Sequence, residues 1–112
     1  MAIAPFASHV SFEMRIFPLR HTARFEEVRA DDRLLFADAL VSTLRKLKRV
    51  LRNPPYNFFI HTAPLGQGNF DYYHWHLEIL PKTSHLAGVE LGTGVEVVSM
   101  PPEAAAAYLR KV

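Results

Sequence analysis

The sequence predicts an α+β domain: an antiparallel sheet with one long helix packed on a face and a short helix near the C-terminus. A period-two segment and a leucine stripe predict this, together with the chain's size. Tyr73 to Pro81 alternates, with Tyr73, Trp75, Leu77 and Ile79 on one side and His74, His76 and Glu78 on the other, as in a half-buried strand. Leu40, Leu44, Leu47 and Leu51 recur at helical spacing, which marks one buried helix face. At 112 residues, 49% of them hydrophobic, the chain is long enough for one small core and too short for two. Residues 1–112 therefore read as a single domain.

In chain order, His9 to Phe17 alternates cleanly, with Val10, Phe12, Met14 and Ile16 facing one way. It reads as a first strand ended by Pro18. A connection over 18–30 follows. Asp31 is placed to cap the long helix, with Asp32 in its first turn. Ala37, Val41 and Val50 widen the leucine stripe, and Asn53-Pro54-Pro55 stops the helix. Tyr56 to Thr62 reads as a second strand and Tyr72 to Leu80 as a third, joined by a loop over Ala63 to Asp71. Neighbours so joined are most simply antiparallel. Gly88, Gly92 and Gly94 suggest a loop whose backbone can approach a ligand. Val95 to Ser99 reads as a short strand. Pro102 suits the first turn of a last helix, Glu103 to Leu109. Tyr72, Tyr73, Phe58 and Phe59 are expected to pack on the leucine stripe.

Bulk properties exclude several classes. Net charge is +2, and the basic run Arg45 to Arg52 lies on the helix as a solvated face, so nucleic acid is not an expected partner. There is no cysteine, hence no disulfide and no thiolate metal ligand. The N-terminus lacks a basic, apolar leader, and no segment reaches membrane-spanning length. A cytoplasmic protein without membrane contact is expected. No repeat is present, and the run Ala104 to Ala107 is simply helix-forming.

His74, His76 and Glu78 form a row on the polar side of their strand, neighbours about 6–7 Å apart. Such a row can titrate, bind metal or act as a nucleophile. The plain alternative is histidines that hydrogen-bond backbone and water.

Five segments carry a family resemblance. They are Ala4-Pro-Phe-Ala-Ser, Phe12-Glu-Met-Arg-Ile-Phe-Pro, Pro54-Pro-Tyr-Asn-Phe-Phe-Ile-His-Thr-Ala-Pro, Tyr73-His-Trp-His-Leu-Glu-Ile-Leu-Pro, and Ala87-Gly-Val-Glu-Leu-Gly-Thr-Gly followed by Pro101-Pro-Glu-Ala-Ala. In this order the chain resembles the C-terminal half of galactose-1-phosphate uridylyltransferase and related nucleotidyltransferases of the histidine-triad (HIT-like) superfamily.

The resemblance implies ping-pong transfer of UMP or AMP between a nucleotide sugar and a hexose 1-phosphate. It implies a homodimer and a parent enzyme whose N-terminal domain, missing here, carries a His-Pro-His-x-Gln nucleophile motif. An upstream cysteine pair usual in the family is also missing. By resemblance His76 matches the attacking histidine of histidine-triad enzymes. Imidazole suits that role because it is nucleophilic while neutral. Glu78 stands where the family has a neutral donor, a departure that would repel phosphate and hold His76 as a cation. It is retained among the substrate-side candidates. Glu90, with Gly88, Gly92 and Gly94, matches the hexose-binding loop. Some relatives hold zinc through the cysteine pair and histidines matching His21 and His74. Others place iron near histidines matching His61, His74 and His76. Zinc or iron is thus implied, at a site left incomplete without the cysteines. The alternatives are a stand-alone hydrolase or transferase using His76, and a non-catalytic dimerisation or binding module.

Overall fold

The computed structural model describes residues 1–66 and 68–112. Four strands form one antiparallel sheet in the order β1-β2-β4-β3. They are β1 (Ala2–Ile3), β2 (Met14–Ile16), β3 (Tyr56–His61) and β4 (His76–Pro81). Among the described residues, three α-helices, α1 (Ala30–Leu51), α2 (Gly88–Thr93) and α3 (Pro102–Arg110), accompany them, with a single 3-10 turn at Phe25–Glu27. The predicted α+β class, long helix and short last helix are all present.

The core lies between one sheet face and α1 with α3. Met14, Ile16, Leu77 and Ile79 from the sheet meet Leu47, Ala105 and Leu109 from the helices, with Leu40, Leu44 and Leu51 at its margin. The leucine stripe thus packs as its spacing requires. Trp75 is 1% exposed. Its ring stands edge-on to Phe25 at 5.0 Å and to Phe36 of α1 at 5.3 Å, and its indole N–H donates to Thr22 Oγ1 at 2.9 Å. Lys46 of α1 ties down the C-terminal end, donating to the Leu109 carbonyl at 2.9 Å and to that of Val112.

Several elements differ from the expectation, each for a local reason. The first strand is confined to Met14–Ile16. Phe12 adopts a left-handed backbone (φ 64°), and the Glu13 amide bonds back to the Val10 carbonyl at 3.2 Å, so residues 10–13 turn. Burial of the Phe12 ring beside Tyr108 offsets the strain of that conformation. The segment Ala2–Ile3, to which the sequence pattern assigned no element, pairs with this strand.

The third strand begins at His76, not Tyr72. Thr62 and Ala63 turn away to bond Phe25 and Ala23, leaving residues 72–75 no neighbour to ladder with. The long helix starts one residue before Asp31, which therefore sits in the first turn rather than at the cap. Val95 to Ser99 is not a strand. Side chains strap it to the turn at 9–13 instead, through Glu96 with His9 and Ser99 with Ser11. The predicted aromatic cluster does not form on the leucine stripe. Tyr72 is 80%, Phe58 51% and Phe59 40% exposed. The predicted loop over 63–71 includes residue 67, which lies outside the described residues.

Candidate functional site

Antiparallel pairing puts directly opposed residues on the same sheet face. His61 opposes His76, Phe59 opposes Glu78, and Arg15 opposes Glu78. All five therefore lie on the face away from α1, while Leu77 and Ile79 fill the core. The split of His76 and Glu78 from Trp75 and Leu77 is as the alternation predicts. These residues, with His9, Val10, Leu80 and Glu96, line a groove of about 400 Å³.

An ionic cluster forms its floor. Arg15 Nη2 lies 2.8 Å from Glu13 Oε1 and 2.6 Å from Glu78 Oε1, and Arg15 Nε donates to Glu13 at 2.9 Å. His61 Nε2–H donates to Glu78 Oε2 at 2.9 Å. The Glu13 side chain is fully buried and also accepts the His9 amide. Burial pushes the Glu13 carboxyl above the ordinary range, and its hydrogen bond to Glu78 pushes it the same way. Burial acts upward on Glu78 too. There it is outweighed by the hydrogen bonds from Glu13 and His61 and by the Arg15 charge, so Glu78 is held low. Of the two carboxyls, Glu13 is therefore the one that takes up a proton first as the pH falls.

His76 is stacked on His61 at 4.7 Å between centroids and on Phe17 at 4.9 Å. Its Nδ1–H donates to the His74 carbonyl at 3.2 Å, because a carbonyl only accepts. That leaves the Nε2 lone pair for the groove. Burial lowers the His76 pKa and outweighs the carbonyl bond, and the charges of His61 and Arg15 lower it further. The ring is therefore neutral at pH 7. This corrects the expectation that Glu78 would hold it as a cation, since Arg15, His61 and Glu13 already engage that carboxylate.

The remaining predicted residues lie elsewhere. His74 and His21 form a second pair, rings 5.0 Å apart, outside the strand row. Each is committed to backbone: His74 Nε2–H donates to the Pro18 carbonyl at 3.1 Å and His21 Nε2–H to that of Asp71 at 2.6 Å. The plain reading of hydrogen-bonded histidines describes these two. His61, His74 and His76 do not converge on one point. Among the described residues, no group of three or more His, Cys, Asp or Glu is placed to hold a metal ion. With no cysteine, and with His21 and His74 each holding a backbone carbonyl, these residues do not complete the zinc site that the resemblance implies.

The expected glycine loop is the helix α2, with Gly94 left-handed (φ 70°) at its C-terminal cap. Glu90 Oε2 accepts the Ala87 amide at 3.1 Å. Neither Glu90 nor Gly88, Gly92 and Gly94 lines the groove. The open space around Gly88, Gly92 and Gly94 leaves that backbone approachable. Sequence reasoning missed Arg15 and Glu13. The Glu13-Met14-Arg15 alternation with Glu78 offered a signal, since charges on a strand's polar side pair across strands.

No protein-family model matches the chain. It is 37% identical, over its whole length, to part of an ADP-glucose phosphorylase from Arabidopsis thaliana, and 28% identical over 99% of its length to a galactose-1-phosphate uridylyltransferase from Thermotoga maritima. It spans only 32% and 37% of those two proteins. A crystal structure of the Arabidopsis ADP-glucose phosphorylase with bound ADP-glucose superposes with a TM-score of 0.90 at 34% identity, covering 99% of this chain and 37% of that one. A structure of a uridylyltransferase superposes with a TM-score of 0.81 at 36% identity, covering 98% and 38%. Among the described residues, no helix is long and apolar enough to cross a membrane.

Proposed function

For a chain related along its whole length to the C-terminal part of the galactose-1-phosphate uridylyltransferase family, we propose the role of a domain in a nucleotidyl-transfer enzyme. Its substrates would be a nucleotide sugar and a hexose 1-phosphate, with UMP or AMP the group transferred. The observation that carries this is the full-length match at 37% identity to a protein that acts on ADP-glucose, together with a groove suited to a phosphate ester. His61 and His76 offer stacked imidazoles beside Phe59, and the groove's carboxylates are offset. Glu78 faces Arg15 and His61, and Glu96 pairs with His9 at 3.0 Å.

Glu90 supports a role in a neighbouring protomer. It lies outside its own chain's groove with a carboxylate able to accept hexose hydroxyls. A homodimer in which α2 lends Glu90 to the other site would use it so. On this reading the nucleophile belongs to the family's N-terminal domain, and this chain alone transfers little.

One observation favours a second reading, in which His76 itself takes the nucleotidyl group. Its ring is neutral, with Nδ1–H fixed on a carbonyl and Nε2 free, the state that attack on phosphorus needs. Titrating the isotopically labelled chain with ADP-glucose, UDP-glucose and glucose 1-phosphate tests the shared premise. Amide shifts at Arg15, Phe59, His61 and His76 are expected. Shifts nowhere on the sheet's polar face would reject the substrate class.

A further inference from the structure

We propose that the cleft between β1, α1 and α3 binds a small aliphatic carboxylate, with its hydrocarbon body in the cleft and its charge at Lys46 and Arg110. The cleft lies on the helix side of the sheet and shares no residue with the groove of His61 and His76. It does not rest on the proposed nucleotidyl transfer.

Shape comes first. Ala2 of β1 opposes the core residue Ile16, so its side chain is on the helix side of the sheet, where Ala4 also packs. These short side chains meet Ala39 of α1 and Ala106 of α3 without closing the layers. A cleft of about 430 Å³ remains, within the roughly 300–1,000 Å³ of small-molecule sites. Met14 and Leu109, both buried, form part of its wall. Alkyl and thioether walls gain most by covering a hydrocarbon.

Charge selects the head group. Lys46 and Arg110 line the cleft, and no aspartate or glutamate does. Among the described residues, neither cation is paired with a side-chain carboxylate. Arg45 and Arg49 flank Lys46 on α1, and Lys111 follows Arg110, so the field at this end of the helices is positive. The carbonyls at the end of α3 would oppose an anion. Lys46 already caps those of Leu109, at 2.9 Å, and Val112. An ammonium has three protons, so one is left for a ligand. The exposed Arg110 adds a planar fork that matches a carboxylate. The same anion is thus offered two cations and an apolar wall, each from a different element than β1.

The test titrates the isotopically labelled full chain with octanoate below its micelle concentration. Saturable amide shifts are expected at Ala39, Thr43, Ala106 and Leu109. Octanol, which keeps the body and lacks the charge, should bind at least about tenfold more weakly. Arg110→Ala should weaken octanoate by a similar factor and leave octanol unchanged. Ala106→Leu fills the cleft and should abolish the shifts. Ser42→Leu, at an exposed position on its rim, should do the same with less risk to the core. Trp75 fluorescence checks that each variant is folded. No saturable shift with octanoate would overturn the proposal. So would equal binding of octanol, which removes the charge requirement. So would shifts that persist in folded Ala106→Leu and Ser42→Leu. Shifts confined to Arg45 and Arg49 would overturn it too, because they would show attraction to surface charge without use of the cleft.

Discussion

Replacing Glu78 by glutamine removes the charge on which the groove's floor is organised, and the structure says how much this should cost. Arg15 Nη2 sits between Glu13 at 2.8 Å and Glu78 at 2.6 Å, with its side chain 24% exposed. Glu78, whose carboxyl is held low, is the one that stays ionised to balance the guanidinium. Removing one member of a buried pair costs about 3–5 kcal/mol. Partial exposure of Arg15 and its retained contact to Glu13 bring the expectation for Glu78→Gln to about 2–3 kcal/mol at pH 7. Glu13→Gln removes the more easily protonated of the two carboxyls and should cost less than Glu78→Gln.

The pH dependence separates the two carboxyls further. Glu78 is held below the ordinary value of 4.5. Its stabilisation is therefore present above that value and lost as pH falls through the lowered one. Glu13 is raised above 4.5, so its stabilisation is present in acid and lost as pH rises through the raised value. Relative to the parent chain, Glu13→Gln should therefore gain stability as the pH rises above 4.5, while Glu78→Gln should lose it as the pH rises towards 4.5 from below. Urea unfolding across this range, monitored by Trp75, reads both. Equal costs for the two variants at pH 7, or a larger cost for Glu13→Gln, would refute this ordering of the two carboxyls.

Further outcomes are expected. Trp75→Ala, which empties the space between Phe25 and Phe36, should destabilise the fold by about 3–5 kcal/mol in thermal unfolding. Carbethoxylation of His76 by diethyl pyrocarbonate should be half-maximal below pH 6.5, because burial lowers its pKa. A midpoint above that value would contradict the neutral ring. Glu90→Ala should leave stability within about 1 kcal/mol, since only the Ala87 amide loses a partner. In an assembled enzyme it should impair use of the hexose 1-phosphate more than release of the first sugar phosphate. Purified chain should hold zinc only weakly. One equivalent surviving a chelator in elemental analysis would show a ligand set other than His21 with His74.

Much of this was legible in residue order. The period of two from Trp75 to Leu80 separated core from groove, because each Cβ must alternate. The leucine spacing identified the face of α1 that the sheet covers. Legibility failed where a single residue or a distant partner decides. Nothing local announces that Phe12 will turn left-handed and end the strand. The extent of β4 depends on where Thr62 leaves β3. A glycine-rich stretch became the helix α2 because Glu90 supplies its first-turn acceptor. The histidines were visible as chemistry, but their grouping was not. His61 pairs with His76, while His74 leaves the row for His21, since residues 72–75 have no strand beside them. Arg15 and Glu13 went unnoticed because their meaning lies in Glu78, on another strand.

The central claim is that this chain is a nucleotidyl-transfer domain whose chemistry needs the family's other half. The most direct measurement compares the chain alone with the same chain joined to the N-terminal portion of the Arabidopsis ADP-glucose phosphorylase. Each is given ADP-glucose labelled at the phosphate next to adenosine, and covalent label on protein is counted and mapped. The account predicts no stoichiometric adduct on the chain alone, and an adduct on an N-terminal histidine of the joined protein. A stoichiometric adduct on the chain alone that His76→Ala abolishes would contradict it and make His76 the nucleophile.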